Sequence, residues 1–72
     1  MSRHAEGIAE ALAEDVIAYV DETGDEDAIK VLTQALADRS QTLEEAFVTA
    51  IRVMRADRFA RDILAKRARS RE

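Results

Sequence analysis

The side chains with the most chemistry to offer are eight cations near the end of the chain: Arg52, Arg55, Arg58, Arg61, Lys66, Arg67, Arg69 and Arg71. Several Arg along one element suit phosphate contacts with DNA or RNA. With Phe59, Ile63 and Leu64 among them, they also fit an anionic membrane surface or the polar rim of a protein interface. Two structural uses compete. Asp57 with Arg61 and Asp62 with Lys66 are helical i,i+4 pairs in the favourable order, and the acidic first half of the chain offers partners for the rest. The three-residue Arg spacing drifts around a helix and makes no single stripe.

Elsewhere the chemistry thins out. His4 is the only histidine, and Arg3 and Glu6 beside it complete no metal or catalytic set. With no Cys, thiolate metal sites, disulfides and Cys nucleophiles are excluded. One terminal His gives no Ser/His relay either. The run Asp21 to Asp27 glances at a calcium loop, yet Gly24 stands at position four rather than six, and Leu32 takes the place of the bidentate Glu. A helix stop followed by an acidic helix start accounts for it. Glu10 and Glu14 lie one turn apart on a polar face, and the inward Glu-x-x-His of bundle metal sites is missing. Asp15 borders an apolar stripe and is placed to pair with a base on the third helix. No cofactor, metal or small-molecule substrate is expected, and the chain reads as non-enzymatic.

The elements that must carry these residues are helices. The chain has 72 residues, no Pro and two Gly, and no stretch alternates with period two as a strand does. One small domain is the most this length allows. Its apolar content is 47%, with 20 Met, Ile, Leu, Val, Phe and Tyr against 14 Ala. So small a core is commonly supplemented by disulfides, a metal or oligomerisation; with no Cys, oligomerisation is the expected device. Residues 1–51 hold 12 acids and 3 bases, while residues 52–72 hold 3 acids and 8 bases, which gives the net charge of −4. Such asymmetry points to an interaction tail or to pairing between the halves.

Helix 1 is expected from Arg3 to Glu22, with Ile8, Leu12, Val16 and Val20 four apart, Ala5, Ala9 and Tyr19 beside them, and Ala13 and Ile17 widening the stripe. Gly24 supplies a left-handed stop. Helix 2 is expected from Asp25 to Arg39, begun by a Thr23–Glu26 capping box or by Asp25 as N-cap. Its apolar side is Ala28, Val31, Leu32, Ala35 and Leu36, with Ile29 at the edge. A Thr42–Glu45 capping box would start helix 3 at Leu43. In its first half Leu43, Ala46, Phe47, Ala50, Ile51 and Met54 fall within about 140° of arc. Past Arg55, the apolar residues Ala56, Phe59, Ala60, Ile63 and Leu64 centre on nearly the opposite side. Helix 3 is therefore long with two faces, or it breaks near Arg55–Arg58 with Asp57 capping a fourth helix. After Ala65 the run KRARSRE is expected to fray.

The fold expected is all-α: a three-helix hairpin or bundle with a long or kinked C-terminal helix, forming a helical dimer. Residues 1–55 would make the core and residues 56–72 a basic helical extension. A helix-turn-helix of helices 2 and 3 is disfavoured. The joint Asp38 to Thr42 has no Gly, and the would-be recognition helix opens with Leu43, Glu44 and Glu45, which repel phosphate. Glu14 to Val20, Gly24-Asp25-Glu26 and Leu36-Ala37 resemble the first helices of certain bacterial addiction-module antidote proteins. The helix-turn-helix that follows in those proteins is not matched, and no functional residue is carried over.

The leading functional expectation is an interaction module, a regulator or adaptor, that self-associates or binds a protein partner. Phe59, Ile63 and Leu64 would be its anchors, and Arg55, Arg58 and Arg61 their polar rim. The alternative is a nucleic-acid-associated regulator, antitoxin-like, using the basic segment. Met1 to Gly7 lack the apolar core of a secretory signal, and no apolar run approaches the roughly 20 residues of a membrane span. A cytoplasmic protein is expected.

Overall fold

The computed structural model describes residues 3–71. Met1, Ser2 and Glu72, which belong to the expected polar leader and basic tail, lie outside the described residues. Three α-helices make up the architecture: α1 (Arg3–Thr23), α2 (Asp27–Ala37) and α3 (Gln41–Ser70). The all-α three-helix expectation holds. Joints are short, and the chain passes up, down and up. Asp21 near the end of α1 meets Arg58 of α3, and Glu10 lower on α1 shares a groove with Ala46 and Ala50, so α1 and α3 run parallel.

Helix α1 stops where glycine permits. Gly24 adopts φ 75°, the left-handed conformation that turns the chain out of a helix, and its N–H donates to Val20 O at 2.7 Å. Thr23 Oγ1 donates to Tyr19 O at 2.8 Å and accepts from Asp25 N at 3.1 Å. That use of the Thr23 hydroxyl corrects the capping-box expectation. Helix α2 begins at Asp27, two residues later than expected, with Glu26 at the cap position and its side chain accepting no capping hydrogen bond from the helix. It ends at Ala37, not Arg39.

Helix α3 corrects the expectation at both ends. Its N-cap is Ser40, in extended conformation, whose Oγ accepts from Leu43 N at 3.1 Å; Thr42 is already inside the first turn. Nothing breaks near Arg55–Arg58, and the helix continues through Lys66-Arg67-Ala68-Arg69 to Ser70, where fraying was expected. Its 30 residues span about 45 Å. Placing Asp21 beside Arg58 sets the end of α1 level with Ala60, so residues 61–70 project beyond the body. The Cα radius of gyration is 14.6 Å, against about 11 Å for a compact domain of this length.

The core lies mainly between α1 and α3. Ala9, Ala13, Val16, Ile17 and Val20 meet Ala46, Phe47, Ala50 and Ile51, and Phe47 is wholly buried. Alanines on both helices allow close approach around that one large ring. Leu12, Ile29, Leu32, Leu36, Leu43 and Met54 close the margins. Helix α2 buries no residue fully; it packs on α3 and barely touches α1. Most of the broad α1 stripe is used, and one edge of it is left out. Ile8 and Tyr19, expected to be inside, are exposed, as are Val31 and Ala35 of α2. Tyr19 turns its hydroxyl to Asp25 Oδ2 at 3.0 Å.

Candidate partner interface

Beyond Met54 every described residue of α3 is exposed. Phe59 is 69% exposed, Leu64 68% and Ile63 47%. Val53 of the same helix is also exposed, although it stands within the body. Large apolar side chains in such concentration are unusual on a chain this small. Their helix is rigidly anchored, because its first half is the floor of the core.

The three arginines expected to rim this patch divide. Arg55 reaches Glu26 at 2.6 Å. Arg58 donates through both terminal nitrogens to the two oxygens of Asp21, at 2.8 and 2.7 Å. These pairs run from α3 to the end of α1 and the approach to α2, so they brace the first joint against the long helix. Arg61 donates from Nε to Asp57 Oδ2 at 2.9 Å, the i,i+4 pair expected. The companion Asp62–Lys66 pair does not form, and Asp15 makes no ion pair with α3 among the described residues; it borders the α1–α2 groove with Tyr19 and Val31. All the pairs formed are solvent-exposed, where screening and side-chain entropy leave little net stabilisation per pair.

Charge perturbation follows the one bidentate contact. The Arg58 guanidinium hydrogen-bonded to Asp21 holds that carboxyl below its ordinary range, against a smaller desolvation effect in the other direction. Asp21 in turn holds the Arg58 guanidinium more firmly protonated. Both serve the joint between α1 and α3. His4 is exposed, and among the described residues no group of three or more His, Asp or Glu is placed to hold a metal ion.

Arg52, Lys66, Arg67, Arg69 and Arg71 make no ion pair among the described residues. Four of these stand on the projecting end of α3, where Leu64, Arg67, Ala68 and Arg71 share one shallow surface. A second surface lies on the body, along the seam of α1 and α3. Its floor is Ala46, Ala50, Val53 and Met54, with Thr49 beside them, and its wall is Glu6 and Glu10 of α1. Sequence reasoning did not single out this groove. Its signal was available in Val53, an apolar residue lying outside the core arc of α3.

Comparison with protein-family models, with curated proteins and with solved structures finds no match for this chain. No helix among the described residues is long and apolar enough to cross a membrane.

Proposed function

We propose that the chain is a non-enzymatic interaction module, a small regulator or adaptor that docks through the C-terminal half of α3 onto a protein chain, its own copy or another. The observation that carries this reading is the exposure of Phe59, Ile63 and Leu64 on a helix that outruns its own body. Burying such side chains is favourable by about 1.5–3 kcal/mol each when complete, and none of the three joins the core of its own chain. Arg61 and the cations Lys66, Arg67, Arg69 and Arg71 border the patch; Arg55 and Arg58 are engaged at the joint.

A second reading, a nucleic-acid-associated regulator, is favoured by the four cations on the projecting end that make no ion pair among the described residues. It is weakened by the ion pairs of Arg55, Arg58 and Arg61 and by the acidic body behind them.

The test compares the full chain with Phe59→Ser/Ile63→Ser/Leu64→Ser, first confirming equal helicity by circular dichroism. Light scattering reports self-association, and affinity capture with identification of the prey reports other partners. Assembly or prey lost in the triple variant supports the proposal. Identical behaviour of the two chains refutes it. Duplex DNA bound with a steep salt dependence, and unaffected by the triple substitution, favours the second reading.

A further inference from the structure

We infer that the partner is a second copy of this chain, and that two α3 helices pair antiparallel about a two-fold axis near Arg58. This rests on reading the end of α3 as a protein-docking surface and adds the identity and register of what docks there.

The first ground is spacing. Thr49, Val53, Ala56, Ala60, Ile63 and Arg67 recur at alternating intervals of four and three, the repeat by which one helix faces another along a straight seam. All six are exposed. The residues that close the chain's own core, such as Phe47, Ala50 and Ile51, lie on a different side of the helix. So α3 carries a second seam, which starts within the body and runs without interruption into the projecting end. Ala56 and Ala60 at its middle let two backbones approach closely.

The second ground is register. Two α3 helices running in opposite directions and crossing at Arg58 set Val53 against Ile63, Ala56 against Ala60 and Thr49 against Arg67. Residues 46–54, which floor the body groove, then fall opposite residues 62–70. That is the length of α3 left projecting when α1 ends level with Ala60. Ile63 and Leu64 of each copy enter the groove of the other, and Phe59 lies beside the axis. One symmetric contact occupies both grooves and both tails, so the assembly closes at two copies.

The third ground is charge. Residues of α1 stand beside α3 residues 37 positions later, as the Asp21–Arg58 pair shows. Glu6 and Glu10 are thus level with the start of the α3 core, and in the antiparallel register that is the height reached by the partner copy's basic end. Arg67 and Arg71 share the surface of Leu64, so they meet the glutamate wall when Leu64 enters the groove. Glu6 and Glu10 make no ion pair within the chain among the described residues. A parallel pairing would instead stack Arg67 on Arg67 and leave the glutamates facing solvent.

The experiment is a charge swap in the full chain, read by sedimentation equilibrium. Glu6→Lys/Glu10→Lys and Arg67→Glu/Arg71→Glu should each weaken the dimer by about tenfold or more. An equimolar mixture of the two should recover it, because every reversed pair is then matched. A second measurement does not depend on those variants folding well. The chain has no Cys, so Val53→Cys and Ile63→Cys can be oxidised separately and mixed; a disulfide between the two variants in the mixture, with neither linking well to itself, supports the antiparallel register. A monomer at every concentration overturns the inference. So does a dimer whose like cysteines cross-link, or one in which the charge-swapped mixture is no tighter than its parts; these last two leave the docking surface itself standing. The docking-surface reading falls separately, if Phe59→Ser/Ile63→Ser/Leu64→Ser changes neither assembly nor bound protein.

Discussion

The chain has two phenylalanines on one helix, and the structure assigns them opposite energetic roles. Phe47 is wholly buried in the core cluster that Ala9, Ala13, Val16 and Ile17 of α1 help to form, while Phe59 is 69% exposed. Phe47→Ala removes the largest side chain of the core and leaves a cavity that the small residues around it cannot refill, at a cost of about 3–5 kcal/mol. Total stability for 72 residues is of order 4–11 kcal/mol, so much or all of it would be lost. The expected fall in melting temperature is on the order of 20 °C. Phe59→Ala, measured in the same circular-dichroism melts at low protein concentration, should stay within about 0.5 kcal/mol of the parent. Raising the concentration should stabilise the parent more than Phe59→Ala, because association stabilises whatever it binds. If Phe59→Ala is as costly as Phe47→Ala at every concentration, the division of α3 into a core half and a docking half is wrong.

Further outcomes follow from the helix ends and the bidentate pair. Ser40→Ala should cost about 0.5–2 kcal/mol through the lost cap on Leu43 N, whereas Thr42→Ala should stay within about 0.5 kcal/mol; a larger effect at Thr42 in urea denaturation would restore the capping box expected there. The lowered Asp21 pKa means its contribution is present above the ordinary carboxylate range and is lost as pH falls through the folded-state value. Asp21→Asn should therefore be less stable than the parent near neutrality, and the gap should narrow below about pH 4. A gap that widens on acidification contradicts the assigned pair.

Much of the fold was legible because helical periodicity marks type and number of elements well. The arc of Leu43, Ala46, Phe47, Ala50, Ile51 and Met54 became the α3 side of the core. Helix α1 was less legible because its apolar stripe covers nearly half the cylinder. A stripe that wide does not say which edge meets a neighbour, and Ile8 and Tyr19 went to the wrong side. The cap of α3 was misplaced because Ser40 and Thr42 are both good cap residues, and only the geometry of Leu43 N distinguishes them. The change of apolar face near Arg55 left two readings open, a break or one straight helix with two faces. An unbroken helix is observed; Ala, Arg and Leu favour helix through the charged run. At the candidate interface, the exposure of Phe59, Ile63 and Leu64 could be anticipated from their position off the core arc. The intrachain partners of Arg55 and Arg58 depend on how α1 lies against α3. The seam from Thr49 to Arg67 passes through Ala56 and Ala60 and ends on an Arg, residue types too weak in hydrophobic signal to stand out.

The central claim is that the second seam of α3 binds a copy of itself. Sedimentation equilibrium of the full chain from micromolar to near-millimolar concentration tests it most directly. The account predicts a mass rising from 8.0 kDa to twice that value and no further, with Ile63→Ser/Leu64→Ser remaining at the lower mass. A chain that holds 8.0 kDa throughout, or grows past two copies without limit, contradicts it.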